Sequence, residues 1–162
     1  MRFVLLIKLL VLLSVANGSP VLVKKLCGDT FSASVDGGVR FLDGRPLFGP
    51  SKTVRGVLVA VAASAAAAPL LGFEVTIGVV VGSAAMVGDL CSSFAKRRLD
   101  YCSSSRATGI DQIPESLLPL IACHHWLPLT ILEISISLVV FMIGQILLSR
   151  AFYWLGIRDR PY

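Results

Sequence analysis

Long apolar runs alternate with short polar stretches along the chain, and the runs are of membrane-crossing size. Apolar residues dominate 3–23, 57–73, 75–94, 114–122 and 129–148, and roughly 20 such residues carry a helix through a bilayer. The first run is broken by Lys8 and by Asn17-Gly-Ser-Pro20. The second is alanine-rich, and a short turn around Gly72 and Glu74 separates it from the third. The fourth is short, with an extension to 127 as an option. His124-His-Trp-Leu-Pro128 reads as interfacial, because tryptophan favours the headgroup zone. The pattern predicts an all-α, polytopic integral membrane protein of about five transmembrane helices, with polar loops on the cytoplasmic side. One transmembrane domain over 1–162 is expected.

Charge gives the helices a direction. Of 15 Lys and Arg residues, thirteen fall in 24–55, 95–112 and the tail from Arg150, and none in the turns near 72–74 and 123–128. Basic loops stay cytoplasmic, so the N-terminus is expected outside, with Arg2 and Lys8 as the exceptions. The opening Met1-Arg-Phe-Val-Leu-Leu-Ile-Lys8, with small residues near Ala16 and Gly18, also imitates a secretory signal whose cleavage would start the chain near Ser19. That cleavage would place the next basic loop outside, so an uncleaved first helix fits the charges better. The expected location is the inner (cytoplasmic) membrane, with the active site facing the cytoplasm.

Composition agrees. Charged residues make up 15% of the 162, against about 25% in soluble domains, and mean hydropathy is +0.79. The net charge of +5 comes with no recognition helix or aromatic basic sheet, so no nucleic-acid partner is expected. Cys27, Cys91, Cys102 and Cys123 have no zinc-type spacing and read as reduced thiols. The small residues Gly78, Gly82, Ser83, Ala85 and Gly88 of the third run read as helix packing.

Two polar stretches carry candidate chemistry. Asp89, Ser92, Ser93 and Lys96 share one helical face if the third helix continues that far. An aspartate there is costly beside apolar surroundings. It would hold a divalent cation with Lys96 on phosphate; an Asp89–Lys96 ion pair at the membrane edge is the competing reading. Lys96-Arg97-Arg98 is also what a cytoplasmic stop signal looks like, although its place after Asp89 favours at least one phosphate contact. Gly44 and Gly49 have P-loop spacing, but Pro50-Ser51 separate Gly49 from Lys52 and no strand precedes. That segment reads as a glycine-proline loop entering the second helix, with Lys52 and Arg55 near its anion-favouring N-terminus. Asp111 and Glu115 are either caps or a second metal-binding carboxylate. His124 and His125 lie on the opposite face and read as interfacial.

Together, Asn17-Gly-Ser-Pro20, Asp36-Gly-Gly38, Gly44-Arg-Pro-Leu-Phe-Gly49, Lys52-Thr-Val-Arg-Gly56, Gly88-Asp89, Ser93-Phe-Ala-Lys-Arg-Arg98, Asp111-Gln112 and the tail from Tyr153 to Tyr162 resemble the CDP-archaeol synthase family. The resemblance covers nearly the whole chain, and bacterial CDP-diacylglycerol synthases share the block around Asp89. It implies a CTP-dependent cytidylyltransferase that moves CMP from CTP to a membrane lipid phosphate, with Mg²⁺ as cofactor and pyrophosphate as by-product. It further implies Asp89, Lys96 and Asp111 as catalytic, Asp89 and Asp111 holding metal, and Lys52, Thr53, Arg55, Ser93, Arg97 and Arg98 as substrate contacts. The family often has D-Q-x-D where this chain has Asp111-Gln-Ile-Pro-Glu115, which moves the second acid by one. A lipid phosphate is already anionic, so charge neutralisation matters more than a general base. A CDP-alcohol phosphotransferase needs a longer acidic pattern than Asp43-Gly-Arg45 supplies. A small transporter or scaffold has no need of the paired aspartate and basic motifs.

Overall fold

Leucine- and alanine-rich runs with few interior charges favour helix, and the computed structural model describes residues 2–102, 107 and 109–156 as a helical bundle. Its elements are α1 (Phe3–Cys27), α2 (Val54–Leu70), α3 (Val75–Arg98), α4 (Gln112–Ala122), a 3₁₀ turn at Cys123–His125 and α5 (Ile131–Trp154). Among the described residues the only β-pairing is two isolated bridges, Ser34 with Thr53 and Arg40 with Pro46. Arg106, Arg158, Arg160 and most of the family-like tail lie outside the described residues.

Helix boundaries differ from the sequence expectation for local reasons. α1 passes unbroken through Asn17-Gly-Ser-Pro20, as an uncleaved first helix requires, and runs on past the apolar stretch to Cys27. Proline removes one helical hydrogen bond, while the Asn17 amide donates to the Leu13 carbonyl at 3.0 Å within the same helix. α2 starts three residues early because the Thr53 hydroxyl accepts the Gly56 N–H at 3.1 Å and caps it. α5 starts at Ile131 behind a capping box between Thr130 and Glu133. α3 runs on to Arg98, so Asp89 through Lys96 are all helical.

Leu6, Leu9, Leu12 and Leu13 of α1 pack with Ala68, Ile77, Val81, Leu120 and Phe141 from the other four helices. The α2–α3 contact is backbone-close: a Cβ on Gly78 would lie 2.4 Å from the Ser64 carbonyl oxygen. α3 meets α4 in the same way at Gly88, where a Cβ would lie 2.3 Å from the Pro114 oxygen. The small residues of α3 are thus packing positions, as their spacing suggests.

α1, α3 and α5 are long and apolar enough to cross a membrane, and α2 is a shorter apolar helix of 17 residues. The 11 residues of α4 rise only about 16 Å, half of a hydrocarbon core of about 30 Å. The Cys123–His125 turn and the segment to Pro128, whose carbonyl accepts from Arg2, complete the return from the Lys96–Asp111 pair to the opposite end, so five helices connect the two ends of the bundle. The N-termini of α1, α3 and α5 gather at one end. There Arg2 meets Glu133 at 3.0 Å, and the Lys8 ammonium lies 6.0 Å from the Phe73 ring centroid. Arg2 and Lys8, the two exceptions to the charge pattern, therefore sit together at the end opposite the basic loops.

Candidate active site

The 28–53 loop folds over the basic end of α3, and one buried carboxylate organises it. Asp36 accepts backbone N–H bonds from Gly38 at 3.1 Å, Phe48 at 2.9 Å and Gly49 at 2.8 Å. Burial pushes its carboxyl up, but the N–H groups of Gly49, Phe48 and Gly38, with Ser34, outweigh burial and hold it at about 2. This loop lies outside the spanning helices. Asp36 ties residues 36–38 to 48–49, and 48–49 lead straight into Lys52. Gly44 and Gly49 turn the chain with φ of 75° and 96°, conformations that favour glycine.

Arginines anchor the same loop to α3. Arg98 packs its guanidinium against Phe41 and Phe94, 4.9 and 4.8 Å from the ring centroids, and bonds the Pro46 carbonyl at 2.6 Å and Asp43 at 3.1 Å. Arg97 donates to the Cys102 carbonyl at 2.9 Å. Arg45 reaches back to the Arg98 carbonyl at 2.5 Å and to Asp100 at 2.7 Å. Arg97 and Arg98, expected from the family resemblance to touch substrate, are thus engaged in holding the loop and helix end.

The anchored loop closes one side of a cavity of about 420 Å³ whose other walls come from all five helices. Lys24, Lys52 and Arg55 line it together with Asp29, Asp89 and Glu115. The Lys52 ammonium lies 2.5 and 2.6 Å from the two Asp89 oxygens, and both side chains are 21% exposed. Glu115 hydrogen-bonds Asp89 and also feels the charges of Lys52 and Asp111. Arg55 points its guanidinium at the Thr30 and Gly28 carbonyls, at 2.9 Å for the latter. It therefore fixes the start of the loop from a place on the cavity wall.

The expected site residues divide into two groups. Lys52, Thr53, Arg55 and Asp89 meet at the cavity. Ser93, Lys96, Arg97 and Arg98 lie further along α3, and neither they nor Asp111 line it. Lys96 is buried against Asp111 at 2.7 Å, not paired with Asp89. Asp111 also accepts the Ala107 N–H at 3.0 Å and makes no cap bond to α4. The two expected acids are therefore separated: Lys96 takes Asp111, and Glu115 stands beside Asp89. The reason is helical geometry, since Pro114 backs onto Gly88 and carries the next residue, Glu115, to the level of Asp89. The Ser93 hydroxyl is buried without a hydrogen-bond partner among the described residues.

Asn17, from the family-like Asn17-Gly-Ser-Pro20 segment, and Gln145, which no motif singled out, also line the cavity. Their signal was available, because each is a lone amide inside an apolar helix, where polar groups are costly. Asp36 had a weaker signal in the Asp-Gly-Gly turn.

Two neighbouring carboxylates beside one lysine suit Mg²⁺, which takes one or two carboxylates and completes its shell with water and phosphate oxygens. Among the described residues no group of three or more His, Cys, Asp or Glu forms a ready-made metal cage. The donor set is therefore suited to a cation shared with a phosphorylated ligand.

Known proteins match both the chain and its fold. The family model for CarS-like CDP-archaeol synthase matches residues 69–162. The CDP-archaeol synthase of Staphylothermus marinus is 33% identical over 91% of this chain and 86% of its own length. That of Hyperthermus butylicus is 38% identical, covering 76% and 78% respectively. A solved structure described as an intramembrane enzyme for archaeal membrane lipids biosynthesis superposes with a TM-score of 0.74, at 26% identity, over 86% of this chain and 89% of that one. With five helices, a loop-capped acidic cavity and relatives matched over most of its length, the chain belongs to the CDP-archaeol synthase family.

Proposed function

We propose that the cavity between the 28–53 loop, α3 and α4 is where CMP passes from CTP to a lipid phosphate, on the cytoplasmic side of the membrane. Membership of the family makes the chain a membrane-integral, CTP-dependent cytidylyltransferase. The observation that carries the site assignment is the Lys52–Asp89–Glu115 cluster on the wall of a cavity that also presents Lys24 and Arg55. The basic end faces the cytoplasm in this reading, because basic loops remain there.

The residues supply what the reaction needs. An oxygen of the lipid phosphate attacks the α-phosphorus of CTP, a new P–O bond forms, and the bond to the β-phosphate breaks to release pyrophosphate. No proton has to be removed from the nucleophile. The barrier is the approach of two anions, and preorganised cations lower it. Lys52, held on a loop fixed by Asp36 and Arg98, can turn its ammonium from Asp89 to incoming phosphate. Asp89 and Glu115 would hold Mg²⁺, which supplies neutralisation of the triphosphate and of the departing pyrophosphate. Lys96 and Asp111 support this floor from behind, fixing α4 against α3.

The test is transfer of label from α-³²P-CTP to lipid by the purified protein, across a panel of lipid phosphates. Mg²⁺-dependent labelling of lipid with release of pyrophosphate is expected. No labelling of any lipid phosphate, in a protein that remains folded, would overturn the reading.

A further inference from the structure

The polar cavity has a neighbour. An apolar groove of about 560 Å³ lies between α1 and α5, and the two openings share Asn17, Val21 and Gln145. The groove extends from Ile7 to Leu22 on α1 and from Val140 to Phe152 on α5. At 1.5 Å per residue that is about 18–22 Å, longer than the hydrocarbon depth of one leaflet, about 15 Å. Ile7, Val11, Val140 and Leu148 on its walls are exposed, so the groove is open sideways. Beyond its far end, Arg2 joins α1 to α5 through Glu133.

The shared residues stand at one depth. Asn17, Asp89 and Gln145 each come fourteen residues after the first residue of α1, α3 and α5, about 21 Å along each axis. These three helices start at the same end, so the level of the Asp89 carboxylate is also the level of two amides. The Asn17 amide donates to the Leu13 carbonyl, whereas Gln145 has no hydrogen-bond partner among the described residues. An amide in an apolar span is costly unless something satisfies it.

Resting on the cytidylyltransferase reading above, we infer that the α1–α5 groove holds the hydrocarbon tails of the lipid phosphate. Gln145, at the junction with the cavity, then bonds the oxygens that link those tails to the backbone carrying the phosphate. The tails enter sideways from the leaflet, and the Gln145 contact stops the phosphate at the level of Asp89. Gln145 is thus a positioning residue that sets how far the lipid slides.

Two measurements test this on the full-length protein in bilayer discs. The first is photolabelling with a diether glycerol phosphate carrying a diazirine in one tail. Crosslinks are expected within 7–22 and 140–152, and unlabelled lipid phosphate should compete better than the tail-matched alcohol. Equal competition by the alcohol, or labels spread over other helix faces, would overturn the groove. This readout needs no turnover, so specific labelling of a protein that never transfers CMP would sink the proposed reaction and leave the groove standing.

The second measurement is kinetic. A Cβ on Gly144 would meet no atom within 4 Å, so Gly144→Phe can fill the groove without displacing protein. It should raise KM for a long-tailed lipid phosphate about tenfold or more relative to a short-tailed one, whereas Leu147→Phe, which lines neither opening, should not. Gln145→Leu should raise KM for both lipids about fivefold to tenfold, as expected for one lost hydrogen bond, with kcat and KM for CTP little changed and partial rescue in Gln145→Asn. Unaltered lipid KM in Gly144→Phe contradicts tail occupancy, and unaltered lipid KM in Gln145→Leu removes the positioning role.

Discussion

The Lys52 ammonium lies within 2.6 Å of both oxygens of Asp89, across 37 positions of sequence, and so joins the loop before α2 to the middle of α3. Removing one partner of a half-buried pair exposes the other's uncompensated charge. Lys52→Met and Asp89→Asn should therefore differ in kind. Asp89→Asn is expected to lower kcat about a hundredfold or more, by analogy with other preorganised electrostatic groups, and to weaken activation by Mg²⁺ in a titration. Lys52→Met should mainly raise KM for CTP. Near-normal turnover of Asp89→Asn in a correctly inserted protein is the result that would remove it from the site.

Glu115 and Asp111 can be separated in the same assay. Glu115→Gln should shift the Mg²⁺ concentration needed for half-activation, because it changes the cavity wall. Asp111→Asn loosens the buried Lys96 contact and should show chiefly as a lower melting temperature, with Mg²⁺ activation little altered. The reverse result would return Asp111 to the metal.

Gly88→Ala is expected to separate α3 from α4. Its Cβ would lie 2.3 Å from a backbone oxygen, and backbone cannot yield as a flexible side chain does. Overpacking of this kind costs about 1–3 kcal/mol, readable as a fall of several degrees in Tm. Because the clash lies beside Asp89 and Glu115, activity at permissive temperature should fall as well. An unchanged Tm would show that this contact is looser than the geometry implies.

The loop should respond to acid. The Asp36 carboxyl titrates at about 2 in the fold, against an ordinary 3.8. A depressed carboxyl contributes stability that is complete above its unfolded value and is lost as pH falls through its folded value. Hydrogen exchange over 36–49 should therefore speed up between about pH 4 and pH 2, once corrected for its intrinsic pH dependence. In Asp36→Asn exchange should already be faster at pH 6 and show no extra step in that window. Identical profiles for the two proteins would mean that Asp36 does not organise the loop.

Arg55→Lys tests a loop anchor. Lysine keeps the charge but cannot span the Gly28 and Thr30 carbonyls as the planar guanidinium does. kcat/KM for CTP should fall about tenfold with membrane insertion preserved, and exchange over 28–32 should increase. Loss of activity without loosening of that segment would point to direct phosphate contact instead.

What the sequence carried well was periodic and local: the apolar runs, the basic end, the close-packing glycines and the loop leading to Lys52. What it carried poorly was pairing at a distance. Lys96 sits seven residues after Asp89 on the same helix, yet it turns to Asp111, because α4 lies against that part of α3. Glu115 reaches Asp89 through the Gly88–Pro114 contact, which no spacing rule contains. The charge of Arg97 and Arg98 is visible in sequence, whereas their partners within the fold, two aromatic rings, two carbonyl groups and Asp43, become visible only in three dimensions. Helix ends shifted where a side chain supplied a cap, as at Thr53 and Thr130.

The depth of Asp89 along α3 has a consequence for traffic in the proposed reaction. Asp89 stands nine residues, about 14 Å, before the basic end of α3 at Arg98, so a reaction at the proposed site would run below the anchoring arginines, among the apolar helices. The nucleotide would then descend to the lipid, with no need to lift the lipid out of the bilayer. A CDP-lipid formed there would be released sideways into the leaflet from which its precursor came. Both search and delivery are then two-dimensional diffusion, and only the small, water-borne CTP and pyrophosphate cross the surface.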